Sequence, residues 1–282
     1  MTTADPAFER WLSDHPYLGE VVRFQRVIED VLRDDGSAAL PVPQWDRRLD
    51  DFGKGIPMFR KIPLDDEVVS MAGNLLRRLG DRMSMADCPE EVRRACGLLG
   101  DEMRRSPDKV ALMLKQLVSA EGDGERDVGA PSGTVRYLAW RAMERVLRPW
   151  VERFEGGTEA GLHWGRPYCP LCGSLPAMAQ LVRTQKGRER YLSCGCCRCR
   201  WSFQRTGCPF CGNQDQDKLE ILELEQEKEF RIDVCRRCDG YLKTYTGEGE
   251  EALMLADWST PHLDILAGRQ GLRRSARSLY EL

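Results

Sequence analysis

The sequence lacks most of the patterns by which enzymes are recognised. It contains no phosphate-binding loop, no dinucleotide-binding fingerprint and no nucleophile elbow. Histidine occurs three times in 282 residues: His15 and His262 adjoin prolines, and His163 lies in a glycine-rich stretch. We expect each histidine at the surface or at a helix end rather than in a catalytic centre, and we therefore expect no enzymatic activity.

Long apolar segments are absent as well. No run approaches the roughly 18 apolar residues that cross a bilayer. The first ten residues are acidic and polar, without the apolar core of a signal peptide. The formal net charge is −3, and 31% of the residues are charged, as is usual for a globular protein in solution. The chain is expected to be cytoplasmic, without a membrane span.

Residues 1–160 show the periodicity of helices rather than strands. From Tyr17 to Leu32, apolar residues recur close to every 3.6 positions, as on one face of an amphipathic helix. Irregular connectors are expected at Pro41–Pro63 and Glu121–Gly133, and a glycine-rich linker at Glu155–Gly165. The pattern predicts further helices at Asp65–Leu79, Pro89–Leu99, Pro107–Ala120 and Thr134–Phe154.

Cysteine, in contrast, is abundant. Of the twelve cysteines, ten lie between Cys169 and Cys238. In a reducing compartment, clustered thiols hold metals or perform redox chemistry more often than they form disulfides. The other two, Cys88 and Cys96, are expected to be core thiols without a function. Eight of the ten form four Cys-x-x-Cys pairs: Cys169/Cys172, Cys194/Cys197, Cys208/Cys211 and Cys235/Cys238.

The four pairs form two copies of one unit. Their spacing is C-x2-C-x21-C-x2-C, ten residues, then C-x2-C-x23-C-x2-C, and Tyr168-Cys-Pro-Leu-Cys-Gly-Ser recurs 39 residues later as Gly207-Cys-Pro-Phe-Cys-Gly-Asn. Two facing turns of this kind supply tetrahedral thiolate ligation, as in zinc ribbons and rubredoxin-type iron sites. The duplication predicts one closed metal site in each half, without an open position for substrate. Site 1 would use Cys169, Cys172, Cys194 and Cys197, and site 2 would use Cys208, Cys211, Cys235 and Cys238.

Two more thiols, Cys196 and Cys199, form a rival pair that is offset by two residues from Cys194/Cys197. We prefer Cys194/Cys197 because its 21-residue spacing is close to the 23 of the second half. Cys196 and Cys199 then remain as alternative thiols with a spare or sensing role. A thioredoxin-like motif and a disulfide framework fit four such pairs poorly, and an iron–sulfur cluster fits the duplicated spacing less well than single metal ions. Spacing leaves iron and zinc both open.

The first ribbon is basic. Between residues 165 and 210 there are eight arginines and lysines against one acid, Glu189, with Tyr191, Trp201 and Phe203 interleaved. Such a composition suits a zinc-ribbon nucleic-acid-binding protein, which we keep as the alternative function. A cationic face for an acidic protein partner is the simpler interpretation.

The sequence resembles the FdhE family of formate dehydrogenase accessory proteins in three runs. These are Tyr168-Cys-Pro-Leu-Cys-Gly-Ser-Leu-Pro, Arg190-Tyr-Leu-Ser-Cys and Asp233-Val-Cys-Arg-Arg-Cys-Asp-Gly-Tyr-Leu-Lys. Upstream, Pro16-Tyr-Leu-Gly-Glu-Val-Val-Arg-Phe is similar to the N-terminal helix of that family. The strongest resemblance covers roughly 80 residues. The family's eight pair cysteines carry over onto the eight named above, whereas Cys196 and Cys199 depart from its pattern.

The resemblance implies a cytoplasmic assembly factor that binds the molybdenum-containing catalytic subunit of formate dehydrogenase before twin-arginine export. It also implies rubredoxin-type iron as the metal, two ions per chain. The expected fold is an all-α domain (1–160), two tandem rubredoxin-like or zinc-ribbon modules (165–205 and 206–246) and a short C-terminal helical segment (247–282). The expected role is that of a chaperone-like binding protein whose four-cysteine sites act as scaffold or redox elements. A third hypothesis, suggested by the spare thiols and the iron, is a redox protein.

Overall fold

The structure is a computed structural model that describes residues 6–33, 49–61, 66–118, 133–157, 164–225 and 227–276. These residues divide into two compact units. The first contains residues 6–33, 59–61, 66–118 and 133–150, and the second contains residues 49–58, 151–157, 164–225 and 227–276.

The first unit is helical, as the sequence predicts. One face of α4 is fully buried through apolar residues such as Leu76, Leu79 and Met83, and α4 packs against α2, α5 and α6. Polar contacts join α2 to α7, where the Tyr137 hydroxyl donates to Gln25 Oε1 at 2.6 Å. The helices are α1 (Pro6–Asp14), α2 (Gly19–Arg33), α3 (Leu49–Gly53, in the second unit), α4 (Asp66–Ser84), α5 (Glu90–Arg105), α6 (Pro107–Val118) and α7 (Gly133–Gly157).

Parts of the predicted connectors are helical. Within Pro41–Pro63 the structure has α3 and a 3₁₀ turn at Met58–Lys61, and Asp50 and Asp51 lie in the first turn of α3, where carboxylates suit the helix dipole. The predicted linker also starts too early, since α7 continues to Gly157. Residues 34–48, 62–65, 119–132 and 158–163, which hold further parts of these connectors and His163, lie outside the described residues.

The second unit contains one sheet in the order β3-β2-β1-β6-β5-β4, with β7 paired to β6. All neighbours are antiparallel except β1 with β6 and β6 with β7, which are parallel. The fold prediction is confirmed: a helical N-terminal region precedes a sheet region with two four-cysteine clusters and a short C-terminal helix. The strands are β1 (Pro176–Thr184), β2 (Gly187–Cys194), β3 (Arg200–Phe203), β4 (Leu219–Glu223), β5 (Phe230–Cys235), β6 (Gly240–Tyr245) and β7 (Arg273–Arg274).

The two cysteine-rich halves are built alike and joined strand to strand. In each half, one Cys-x-x-Cys turn precedes an antiparallel hairpin and a second turn connects that hairpin to a third strand, so β1, β2 and β3 correspond to β4, β5 and β6. The halves meet where Met178–Gln180 of β1 pairs with Lys243–Tyr245 of β6. The domain boundaries at 165, 205 and 246 stay predictions. β1 and β6, which lie on either side of residue 205, belong to one sheet.

The C-terminal segment folds back onto β6. It comprises α8 (Glu251–Met254), a 3₁₀ turn at Asp257–Ser259, α9 (Pro261–Arg269) and β7. Lys243 of β6 forms ion pairs with Asp257 and Asp264 at 2.7 and 2.8 Å. Arg274 pairs with the same two carboxylates. This network fixes the segment against the sheet.

Candidate metal centres

Site 1 brings together the four sulfur atoms that the spacing assigns to the first half. Cys169 Sγ lies 3.5 Å from Cys197 Sγ, and Cys172 Sγ lies 3.4 Å from Cys194 Sγ. All four sulfurs lie within 4.8 Å of one another, and all four residues are buried. The turn before β1 and the turn after β2 therefore converge on one point.

Site 2 repeats the arrangement in the other half of the sheet. Cys208 Sγ and Cys238 Sγ are 3.8 Å apart, Cys211 Sγ and Cys235 Sγ are 3.7 Å apart, and the four sulfurs again lie within 4.8 Å of one another. Cys208 and Cys235 are buried, but Cys211 and Cys238 are accessible to solvent. The two sites thus have the same four-cysteine composition and differ in accessibility.

The Cys-x-x-Cys turns are held by a repeated set of backbone hydrogen bonds. The amide of Cys169 donates to the Ser174 carbonyl at 2.8 Å, and that of Gly173 donates to the Cys169 carbonyl at 3.0 Å. Cys208, Gly212 and Asn213 repeat both bonds at 2.8 and 3.1 Å. The residue after each pair has a left-handed backbone: Gly173 (φ 81°), Arg198 (φ 59°), Gly212 (φ 69°) and Asp239 (φ 54°).

The donor set and its dimensions fit a tetrahedral metal. A metal–sulfur distance of about 2.3 Å gives a sulfur–sulfur edge of about 3.8 Å. The two site 2 edges match this value, and the two site 1 edges are slightly shorter. Backbone amides also point at the sulfurs: those of Cys196 and Phe210 lie 3.4 Å from Cys194 Sγ and Cys208 Sγ. Four thiolates with amide donors suit zinc or mononuclear iron and complete a tetrahedron without a labile ligand.

The thiols differ in acidity within each cluster. Burial raises the pKa of Cys169 and Cys197 well above its usual value. Burial also acts to raise the pKa of Cys194, but hydrogen bonds from neighbouring thiols outweigh it and hold that pKa well below the usual value. In site 2, burial raises the pKa of Cys208 to about 12, whereas backbone amide donors outweigh burial and lower that of Cys235. A divalent cation that binds either cluster would displace the protons that its thiols carry.

Cys196 and Cys199 lie next to site 1 but outside its group of four. The Cys196 thiol interacts with Cys194 and Ser174, and the Cys199 thiol interacts with Cys169. Cys199 is buried and Cys196 is partly exposed. The Cys199 carbonyl accepts the amide of Cys194 at 3.0 Å, so Cys199 occupies the position of Ser174 in the first turn.

Several residues named from the sequence lie outside the two four-cysteine clusters. Cys96 is buried and Cys88 is partly exposed.

Of the residues that suggested nucleic-acid binding, Trp201 and Arg190 are buried, and Arg190 donates to the Gly207 carbonyl at 2.9 Å. Arg183, Lys186 and Arg188 are exposed at the β1–β2 hairpin. A basic hairpin without exposed Trp201 offers less stacking surface than the sequence suggested.

The network around Lys243 was not predicted from the sequence. Its partners Asp257 and Asp264 lie 14 and 21 residues away. The one available signal was a lysine within Gly240-Tyr-Leu-Lys-Thr-Tyr, a run that otherwise has the pattern of a buried strand.

Among the described residues, no helix is both long and apolar enough to span a membrane.

Comparisons with known proteins match these features. A family model for the FdhE central domain matches residues 168–205, which contain site 1. An FdhE homolog from Aquifex aeolicus (strain VF5) is 30% identical over 153 residues, 53% of each chain. An FdhE homolog from Pseudomonas aeruginosa is 33% identical over 193 residues, 60% of each chain. FdhE from Salmonella choleraesuis (strain SC-B67) is 24% identical over 275 residues, 95% of this chain and 83% of that protein.

The matched region thus spans about half to three fifths of the first two relatives. A solved structure described as the crystal structure of the FdhE protein from Pseudomonas aeruginosa superposes with a TM-score of 0.63 at 24% identity, over 96% of this chain and 93% of that chain. That likeness shows a shared fold. The family model and the relatives match the same family, so the sequence resemblance to the FdhE family is confirmed.

Proposed function

We propose that this protein is a non-catalytic accessory factor for the formation of formate dehydrogenase. It binds the molybdenum-containing catalytic subunit in the cytoplasm, in a chaperone-like manner, before that subunit is exported. The observation that supports a binding role is the pair of closed four-thiol sites on one sheet. A metal held by four thiolates has no position for a substrate, so such sites stabilise a surface or carry electrons.

A pull-down tests the partner. The full chain, purified anaerobically with its metal, is immobilised and exposed to the formate dehydrogenase catalytic subunit and to an unrelated molybdoenzyme at equal concentration. We expect the catalytic subunit to be enriched about tenfold or more. Equal retention of the two proteins would contradict the proposal.

We further propose that Cys169, Cys172, Cys194 and Cys197 bind one metal ion and that Cys208, Cys211, Cys235 and Cys238 bind a second. The ion is rubredoxin-type iron or zinc. Elemental analysis of anaerobically purified protein is expected to give two ions per chain. Iron would show a thiolate-to-metal absorption band that bleaches reversibly on reduction, and zinc would leave the protein colourless.

Serine substitutions test this ligand assignment. Cys194→Ser is expected to remove one metal per chain and to lower stability, because metal binding and folding are coupled in small ribbons. Cys88→Ser is the matched control, since that thiol lies in the helical unit, and it should leave the metal content at two. Loss of a metal in Cys88→Ser, or full metal content in Cys194→Ser, would refute the assignment.

A further inference from the structure

The sheet ends at β4 with a row of backbone groups that face outwards. In the described part of the chain, β4 is the terminal strand and pairs on one side alone, with β5. The amide of Arg236 donates to the Lys218 carbonyl at 2.8 Å, which fixes the hydrogen-bonded pairs of this antiparallel ladder at even-numbered residues of β4. The amides and carbonyls of Ile221 and Glu223 consequently point away from the sheet, as does the carbonyl of Leu219, whereas the Leu219 amide donates to the Gln216 carbonyl.

The opposite edge is covered. The backbone amide of Arg200 in β3 donates to Glu155 Oε1 of α7 at 2.9 Å. The indole of Trp201 donates to the Arg166 carbonyl at 2.9 Å, which places the segment before site 1 against this strand. β3 is therefore protected by neighbouring elements, and β4 is the open edge.

The internal duplication indicates which kind of partner the outer side of β4 can pair with. β4 corresponds to β1 in the duplicated plan, and β1 pairs on its second side with β6, in parallel, through Met178–Gln180. The strand order is thus β3-β2-β1 followed by β6-β5-β4, which are the equivalents of β3, β2 and β1 in the second half. The outer side of β4 is the position that β6 occupies on β1.

The side chains of the edge decide which strand fits. Ile221 is 51% exposed, and Glu220, Glu223 and Glu225 are exposed. Glu220 pairs with Arg236 at 2.7 Å, whereas among the described residues no cation lies within ion-pairing distance of Glu223 or Glu225. Acidic side chains on an edge oppose pairing with a second copy of the same edge and attract a cationic strand.

We propose that β4 is a docking site for an extended, cationic segment of another protein, in which apolar residues alternate with arginine or lysine. The segment adds as a strand to the outward amides and carbonyls of Ile221 and Glu223 and to the carbonyl of Leu219. Main-chain hydrogen bonds supply affinity, and Ile221, Glu223 and Glu225 supply selectivity. This inference goes beyond the proposed function and does not depend on the identity of the client.

Fluorescence anisotropy with the full metal-loaded chain tests the proposal. The probe is a labelled ten-residue peptide of alternating arginine and valine, and the comparison peptide carries glutamate in place of arginine. We expect the arginine peptide to bind at micromolar concentration at low salt, to weaken as salt rises, and to bind at least tenfold more tightly than the glutamate peptide. Equal binding of the two peptides, or no binding of the arginine peptide, would overturn the proposal.

Two variants distinguish strand addition, which needs the backbone amide of Ile221, from electrostatic attraction alone. Ile221→Pro removes an outward amide without removing a ladder bond to β5 and should weaken binding about tenfold, whereas Ile221→Thr keeps the amide and should stay within about threefold. Metal content and the unfolding transition report whether Ile221→Pro is folded.

Should the proline variant unfold, charge reversal gives an independent result. Glu223→Lys with Glu225→Lys should weaken peptide binding by about tenfold. The control Glu67→Lys with Glu91→Lys makes the same change in net charge on the helical unit and should leave binding unchanged. Equal loss in both double variants, or no loss in either, would contradict docking on β4.

Discussion

Lys243 has a side chain that is 1% exposed, yet four oxygen atoms surround its ammonium group. Its Nζ lies 2.7 Å from Asp257 Oδ1 and 2.8 Å from Asp264 Oδ2. The carbonyls of Asp257 and Thr260 lie at 3.3 and 3.2 Å. Arg274 supplies the second positive charge, so two cations face two carboxylates. A buried cluster of this kind is tolerated because every charge has a partner of opposite sign.

Removing the lysine charge breaks that balance. Lys243→Met keeps most of the side-chain volume and leaves Asp257 and Asp264 with one cation between them, so we expect the free energy of unfolding to fall by about 3–5 kcal/mol. Urea titration measures the change. Lys115→Ala, which removes an exposed pair with Asp66, should cost under about 1 kcal/mol. A similar small cost for both variants would show that the network does not stabilise the fold.

The same network predicts a dependence on acid. Burial acts to raise the pKa of Asp257, but the nearby Lys243 and Arg274 outweigh it and hold the pKa well below its usual value. A carboxyl with a lowered pKa stabilises the folded state above its unfolded pKa of about 3.9, and the stabilisation is lost as pH falls below that value. Wild type should therefore be more stable than Asp257→Asn at pH 6, and the difference should shrink below about pH 4. A difference that is constant with pH would contradict this assignment.

At the scale of elements, the four Cys-x-x-Cys turns show how a short motif tolerates variation. Each turn ends in a left-handed residue, but that residue is glycine in two turns and arginine or aspartate in the others. A Cβ at Gly212 would meet nothing within 4 Å, so the backbone conformation alone opposes a side chain there. An L-residue in this conformation costs about 1–2 kcal/mol, and asparagine tolerates it better than alanine does.

Substitution at this turn tests that reasoning. Gly212→Ala should lower the metal affinity of site 2 by about tenfold, since the strain opposes the closed turn. Gly212→Asn should lower it by clearly less. Competition with a chromophoric chelator measures the affinity. Equal losses for alanine and asparagine would indicate that packing, rather than backbone conformation, selects glycine.

Local patterns predicted the local elements. The apolar period located α2, α6 and α7 to within three residues at each end, whereas α4 and α5 continue five and six residues beyond their predicted ends. The cysteine spacing grouped the sulfurs that the structure brings within 4.8 Å. The pairing of β1 with β6 was beyond the sequence because it joins Met178 to Lys243, and no local period reports such a partner. The network around Lys243 escaped prediction for the same reason.

At the scale of the whole molecule, the two sites are unequal environments for the same set of four cysteines. All four site 1 cysteines are buried, whereas Cys211 and Cys238 of site 2 reach solvent. A chelator must approach the metal and a thiolate must take up a proton for the metal to leave, so access should govern the rate of release.

Release of the two metals into excess chelator should thus be biphasic, with the phases separated by about tenfold or more in rate. Cys208→Ser should abolish the fast phase, and Cys169→Ser should abolish the slow phase. Stopped-flow absorbance of the chelator complex measures both. A single phase in wild type, or loss of the slow phase in Cys208→Ser, would contradict the ordering by access.

The parallel pair of β1 and β6 has a consequence for synthesis. β1 ends at Thr184 and its partner β6 starts at Gly240, so the ribosome must add about 60 residues before the pair can form. At 5–20 residues per second this interval lasts roughly 3–12 s. During it the first hairpin can close around site 1 while the outer side of β1 has no partner. The nascent chain therefore passes through a stage in which the ribbon around site 1 has folded while its edge is exposed, and a chaperone or another unfolded chain can bind that edge.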